Sequence, residues 1–302
     1  MARIRSVASV VILIFGLAAS SAAQGTGDIV GRVADSSGGV LPGVTVTATN
    51  LATNLSRTTV TSDTGDYTFT LLTIGVYDVK TELAGFKSQT ATVTLSTGDR
   101  ARVDVKLELG AVSESVTVAA SSPLLQTDTS RVSSRLTPET VQNAPIAGRN
   151  IMNIVQLTPG ASEGAANATI SGNRPDDRRQ TSAVSINGNP ENDNLQLVDG
   201  LDNTERVMGG MGIKPSIDAI QEVVVQTNLY SAENGRTLGG VINIITKSGT
   251  NQLRGSGFYF GRNQHFDAKD FFAVSKPLNH LNQFGGSLGG PLKSDRTFFF
   301  VD

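Results

Sequence analysis

The segment Ile217–Gly249, IDAIQEVVVQTNLYSAENGRTLGGVINIITKSG, constrains the fold of this chain more than any other stretch. Two apolar runs, Glu222–Gln226 and Val241–Thr246, are built from Val, Ile and Thr and carry almost no helical periodicity. β-Branched side chains of this kind suit pleated, half-buried strands. The connection holds Asn234-Gly235 and Gly239-Gly240, residue types that reach the positive φ angles of tight turns at little cost. A pair of neighbouring strands is expected here, in a protein that is mainly β.

A chain of 302 residues has room for two or three domains. Its net formal charge of −2, with no basic stripe, argues against a nucleic-acid partner. The absence of cysteine removes disulfide scaffolds, thiolate metal sites and cysteine nucleophiles together. The opening residues Met-Ala-Arg-Ile-Arg, the apolar run Val7–Ala19 and the small residues Ser21 and Ala23 form a secretory-signal pattern, residues 1–23. That run is shorter than the about 20 apolar residues a spanning helix needs. No second long apolar run exists, so membrane insertion would have to use strands.

The central stretch resembles the plug domain of TonB-dependent outer-membrane receptors. The resemblance is carried by Gln221-Glu222-Val223-Val224-Val225, by Tyr230-Ser231-Ala232-Glu233-Asn234-Gly235, and by the unbroken Gly239–Lys247, GGVINIITK. It implies a plug over residues 127–250. Within it, Thr137-Pro138-Glu139 offers an N-cap and a first-turn proline for a short helix Pro138–Asn143. Asn150–Leu157 suits a second helix, stopped by Thr158-Pro159-Gly160. Ala183–Asn187 and Leu195–Val198 read as strands joined by Gly188-Asn189-Pro190. Val198-Asp199-Gly200 resembles the segment that plug domains carry before a substrate-facing loop. The resemblance therefore marks Asp199, Gly200, Leu201, Asp202, Asn203 and Arg206 as ligand-side residues. Arg174–Arg179 and Glu205–Lys214 read as long polar connections.

Ahead of the plug, Gly27–Leu109 reads as about seven short strands. Ile29, Val33, Val44, Val46 and Ala48 fall on one face, with Thr45, Thr47 and Thr49 on the other. Turn signals recur at Ser37-Gly38-Gly39, Leu41-Pro42-Gly43, Asp63-Thr64-Gly65-Asp66, Ile74-Gly75 and Gly98-Asp99, a spacing that predicts an antiparallel sandwich. The set Gly39–Val44, Thr61-x-x-x-Gly65-x-Tyr67-x-Phe69, Gly75-Val76-Tyr77 and Ala84-Gly85-Phe86 resembles the carboxypeptidase regulatory-like domain, a transthyretin-like fold, over residues 24–109. Modules of that superfamily sometimes bind carbohydrate, although no sugar site is legible in these residues.

Residues 110–126 form a small, polar linker containing one alternating strand, Glu114, Ser115, Val116, Thr117 and Val118. Its place before a plug resembles a TonB box, which adds a strand to the periplasmic domain of an inner-membrane energy coupler. A plain linker strand fits the same residues.

Ten of the sixteen aromatic rings fall in Asn251–Asp302. Such clustering suits the interfacial girdles of membrane β-barrels. Leu253–Phe260 and Gln283–Leu288 alternate as transmembrane strands would, with a long connection between them and a short one, Gly289–Asp295, after them. The run Phe284–Pro291 with Lys293 and Thr297–Phe300 resembles the Oar-like branch of these receptors, and residues 251–302 are expected to open a barrel. About three strands cannot close one. An open sheet in lipid leaves on the order of five unpaired groups per edge at several kcal/mol each. That exceeds a domain's net stability of about 5–15 kcal/mol, so the chain is expected to be the N-terminal part of a longer receptor.

Enzymatic motifs are not supported. Gly285-Gly286-Ser287-Leu288-Gly289 matches G-x-S-x-G formally, but Pro291 follows and His265 and His280 both precede it. No zinc, P-loop or dinucleotide signature occurs, and Asp193, Asp199 and Asp202 lack EF-hand spacing for calcium. No catalytic residue, metal or cofactor is assigned. The combined resemblances imply an outer-membrane receptor of a Gram-negative bacterium, in contact with membrane lipid, importing a siderophore, oligosaccharide, peptide or cobalamin too large for porins. The alternative is a secreted or surface carbohydrate-binding protein built on the sandwich, against which the aromatic-rich end argues.

Overall fold

The computed structural model describes residues 25–110, 115–119, 132–144, 149–164, 184–205, 210–230, 233–269, 271–272, 274–276, 278 and 280–302. The signal pattern of residues 1–23, Glu114, Arg174–Arg179 and Arg206 lie outside them.

The N-terminal unit consists of two sheets closed over one core. Strands β1 (Thr26–Asp35), β4 (Asp66–Thr73), β7 (Arg100–Arg102) and β8 (Val105–Leu107) form one sheet. Strands β2 (Thr45–Asn50), β3 (Ser56–Val60), β5 (Gly75–Glu82), β6 (Ser88–Leu95) and β9 (Ser115–Ala119) form the other, in the order β3-β2-β5-β6-β9. Eight strands lie within the span where about seven were expected. The alternation read from sequence holds: Val46 and Ala48 are buried, while Thr45 is exposed and Thr47 and Thr49 are partly exposed. Val33, Val46, Val79, Leu95 and Leu107 meet in the interior.

The expectation of a purely antiparallel sandwich is corrected. β1 pairs in parallel with β7 and β8, and β6 pairs in parallel with β9. The cause is local. β7 and β8 are one path interrupted at Val103-Asp104, where the Asp104 carboxylate accepts the Arg32 amide in place of a backbone carbonyl. The kink carries the Val103 carbonyl over Gly31, where a Cβ would sit only 1.9 Å from its oxygen. There it accepts the Tyr67 hydroxyl at 2.7 Å. Burial of Tyr67 pushes its pKa up, so the hydroxyl stays protonated and available as a donor.

The central unit is a mixed sheet in the order β10-β15-β16-β13-β14. Its strands are β10 (Val132–Leu136), β13 (Leu195–Val198), β14 (Leu201–Asp202), β15 (Ile220–Asn228) and β16 (Val241–Thr246). A separate ladder joins β11 (Ala161–Glu163) to β12 (Val184–Ile186). The two apolar runs pair antiparallel as expected, from Ile220↔Thr246 to Gln226↔Val241. They are not half-buried, however. Val223, Val224 and Val225 are all buried, as are Ile244 and Ile245, so both faces of the ladder are covered. The helices Pro138–Asn143, capped by Thr137, and Ile151–Val155, capped by Asn150, pack into this core. The strands Val184–Ile186 and Leu195–Val198 do not pair with each other, because a 3₁₀ turn, Glu191–Asp193, separates them and each finds another partner.

The C-terminal sheet is antiparallel, β17 (Arg254–Asn263), β18 (His280–Lys293) and β19 (Thr297–Val301). Tyr259 lies opposite Phe284 and Leu288 opposite Val301, leaving these apolar side chains exposed on one face. Phe258 and Phe260 point the other way, towards the central unit, so they do not join an outward girdle. Phe258 lies across Gly285, where a Cβ would meet the ring at 2.8 Å. Ser287 is on a strand, its Oγ 2.8 Å from that of Ser256, which removes the nucleophile-elbow geometry. Among the described residues no helix is long and apolar enough to cross a membrane.

Replacing Tyr67 with Phe removes the donor to a buried carbonyl and is expected to cost about 1–3 kcal/mol. The change should be read as a lower urea midpoint at unchanged slope.

Candidate functional site

The central sheet has two distinct ends. At the Ile220/Thr246 end it meets the N-terminal unit. The knuckle is the turn Ser96–Asp99, with Gly98 at φ +72°, between β6 and β7. Asp99 caps this turn by accepting the Ser96 amide at 3.1 Å. Its other carboxylate oxygen takes the Arg135 guanidinium from β10. Arg135 also stands 3.8 Å from Glu222 on β15, and Glu222 in turn accepts the Thr97 amide at 2.9 Å. Glu222 is only 5% exposed. A buried carboxylate is tolerated where hydrogen bonds and an opposite charge replace its water. Asn251 adds a backbone hydrogen bond to the Ala52 carbonyl, and Asp295 accepts from both Asn54 and Asn251. A cavity of about 400 Å³ at this end is lined by Asn50, Thr73, Gln221, Lys247 and Phe299. Burial lowers the pKa of Lys247, against the opposing pull of Asp218 and Asp302.

One side chain seats the central unit against β17. Arg149 pairs with Asp218 at 2.6 Å, and its guanidinium carbon lies 4.4 Å and 4.3 Å from the ring centroids of Phe258 and Phe260. Its buried Nη1 has no hydrogen-bond partner, so the two ring faces provide the compensating attraction.

The ligand-side residues expected from sequence fall elsewhere than a far loop. Val198↔Leu201 closes a two-residue hairpin with Asp199 at φ +51° and Gly200 at φ +82°, the pattern of an Asp-Gly type I′ turn. Since β13 runs parallel to β16, this hairpin lies at the Thr246 end, beside the N-terminal unit. Asp199 directs both carboxylate oxygens at Thr246, to its amide at 2.8 Å and its hydroxyl at 2.7 Å. Asn203 spends its side-chain amide on the backbone of Ile213. Asp202 accepts the Thr204 amide, and Leu201 is exposed. Asp193 sits at the opposite end of the sheet, where its carbonyl takes the Gly239 amide, so the three aspartates are not gathered. Of the box-like residues, Ser115–Val118 lie in β9, paired to β6.

Sequence reasoning missed the opposite end. There a cavity of about 460 Å³ is lined by Gly164, Ser185, Gly188, Asn189, Pro190, Glu191 and Asn192. Asn194 ties β12 to β16 through the Val184 carbonyl and the Gly240 amide. Glu191 is 9% exposed, its Oε2 has no hydrogen-bond partner, and burial pushes its pKa up. The spacing of asparagines around Gly188-Asn189-Pro190 was the available signal, and it reads equally well as a plain turn.

Residues 28–108 match the carboxypeptidase regulatory-like domain and residues 245–302 match the outer membrane beta barrel domain. Over 269 residues the chain is 29% identical to the TonB-dependent transporter Oar of Myxococcus xanthus, covering 85% of this chain and 24% of that protein. Among solved structures it is similar to the siderophore receptor PirA from Acinetobacter baumannii, at 27% identity and a TM-score of 0.41, over 54% of this chain and 22% of that one. It is also similar to the outer membrane transporter YddB from Escherichia coli, at 17% identity and a TM-score of 0.41, over 52% and 24% of the respective chains. The chain thus spans about a quarter of the length of these proteins. They are transporters and receptors, not enzymes.

Glu222→Ala should leave the Thr97 amide without its acceptor and accelerate its hydrogen exchange about tenfold or more; an unchanged rate would mean the knuckle is not closed in solution. Asp199→Ala is expected to destabilise the fold by about 1–3 kcal/mol, because the Thr246 amide and hydroxyl lose their acceptors. Retention of full stability by that variant would release Asp199 from a structural role.

Proposed function

We propose that this chain, an outer-membrane protein related to the TonB-dependent transporter Oar, acts as the N-terminal part of an energy-coupled importer. In this reading residues 24–109 form a periplasmic sandwich, 110–126 a coupling linker, 127–250 a plug, and 251–302 the first strands of the barrel around it. The observation that carries it is the two-point attachment of the central unit. Its sheet is held to the N-terminal unit through Asp99, Arg135 and Glu222, and to β17 through Arg149. A body tied at one end to a soluble module and flanked by a strand with an exposed apolar face suits a stopper inside a membrane cylinder.

The three-residue turn Ser294–Arg296 lies beside Asn54 and Asn251, on the side of the N-terminal unit. β17 ends at Asn263 and β18 begins at His280, both at the other end of the pair. Short turns on the periplasmic side and long loops outside are the habit of outer-membrane barrels. With that orientation the Thr246 end faces the periplasm, and Asp199–Asn203 face it too. On this orientation the Glu191 cavity is the candidate ligand side, an alternative to the Asp199–Arg206 assignment made from sequence.

Force from an inner-membrane TonB-type coupler would enter at Ser115–Val118. It would reach β10, the edge strand of the plug sheet, where pairing with β15 ends on one side only. Unzipping an edge strand breaks pairs one at a time, so a modest pull suffices to open a path for a ligand too large for porins. Siderophore, oligosaccharide and peptide all fit this scheme. A carbohydrate-binding role for the sandwich is not favoured by the receptor relatives.

The coupling role is tested by a pull-down of the full chain with the coupler's periplasmic domain. Val116→Pro deletes a main-chain donor and should abolish capture. Equal capture of the variant and the parent would remove Ser115–Val118 from the mechanism.

A further inference from the structure

The coupling strand already belongs to a sheet. Ser115–Ala119 pairs in parallel with Ser88–Thr92, from Ser88↔Ser115 through Thr90↔Thr117 to Thr92↔Ala119. It takes the end position of the sheet, outside β6. β6 is itself fixed on its other side by pairing with β5 from Gly75↔Leu95 to Thr81↔Gln89, and by burial of Ala91, Val93 and Leu95. A strand in this position directs part of its N–H and C=O groups at its neighbour and the rest outward. Among the described residues no strand pairs with the outer edge of β9.

We propose that the N-terminal unit presents Ser115–Ala119 as a preformed sheet edge, and that an extended strand of the energy coupler adds to its outer side while β9 stays on β6. This rests on the coupling role proposed above and specifies how the surface is built. The partner it fits is a folded domain with its own unpaired strand edge, joined through main-chain hydrogen bonds and little side-chain selectivity.

Three observations favour presentation over release. Ordering an extended segment carries an entropy cost per residue, and here β6 has already ordered it, so the coupler meets a preorganised strand. Lifting β9 away would also strip β6 of its neighbour and break the β6–β9 ladder, whereas addition to the outer edge leaves every existing pair intact. Finally, β6 runs from Leu95 directly into Ser96–Asp99, the knuckle that holds Arg135 and Glu222. Load applied to β9 is therefore delivered by β6 to the central sheet through a rigid path, in addition to the linker that follows β9.

The chain contains no cysteine, so a single engineered pair is unambiguous. Thr90→Cys with Thr117→Cys places two thiols on register partners of adjacent parallel strands, whose backbones lie about 4.7–4.9 Å apart. The pair is closed by mild oxidant or a short bis-thiol reagent and followed by thiol titration. The full chain, crosslinked and reduced, is then titrated with the coupler's periplasmic domain. Presentation predicts that the crosslink forms and that the closed chain binds within about twofold of the reduced one, or more tightly. Binding weaker by about tenfold or more, regained on opening the crosslink, would mean that the strand must leave β6 and would overturn the proposal. So would failure of both closing reagents to join the two positions. If the crosslink closes but neither the variant nor the parent captures the coupler, the coupling role itself fails, and the proposal falls with it for that separate reason.

Discussion

The antiparallel ladder between Ile220–Gln226 and Val241–Thr246 is the constraint on which the remaining contacts depend. Buried on both faces, it has no solvated side to which side chains could retreat. A one-residue slip would turn its whole apolar set and break the surrounding fit. β10 reads its register from β15, and β13 reads its own from β16. Thr246, at the end of the ladder, is where Asp199 anchors the β13–β14 hairpin. Glu222, near the start of β15, is where the N-terminal unit is held. The junctions at the Thr246 end are thus referenced to a single pair of strands.

Much of this was legible in the residues. Alternating Thr with Val and Ala gives β2 its strand, a Val/Ile-rich run gives β16 its own, and Thr137-Pro138 gives the helix Pro138–Asn143 its start and cap. These are local effects, decided within a few residues. What stayed hidden depends on residues far apart in the chain. The parallel pairing of β1 with β7 and β8 joins residues far apart in the chain, and no local periodicity encodes it. Nor does the pattern Val198-Asp199-Gly200 say which end of the sheet its turn will occupy. That is fixed by β13 choosing β16 as a parallel neighbour. An aromatic count likewise cannot separate Phe258 and Phe260, which face Arg149, from Tyr259 and Phe284, which face outward.

The two attachments of the central unit differ in physical kind. The knuckle combines a nearly buried carboxylate, Glu222, with an arginine that water can still reach in part. It gains from Coulomb attraction and from the Thr97 amide, and it pays desolvation at Glu222. The seat on β17 relies instead on a guanidinium over two aromatic faces, backed by Asp218. Neither attachment involves a large interlocking apolar surface.

Mobile ions weaken an attraction between accessible charges far more than the pull of a ring on a cation shielded from water. In concentrated salt, Arg135 would therefore loosen its hold before Arg149 does. Added salt would weaken only the ionic part of that junction, because the Thr97–Glu222 and Asn251–Ala52 hydrogen bonds do not depend on it. The two arginines thus differ in how far added salt reaches the attachment each makes, a consequence of their different solvent access.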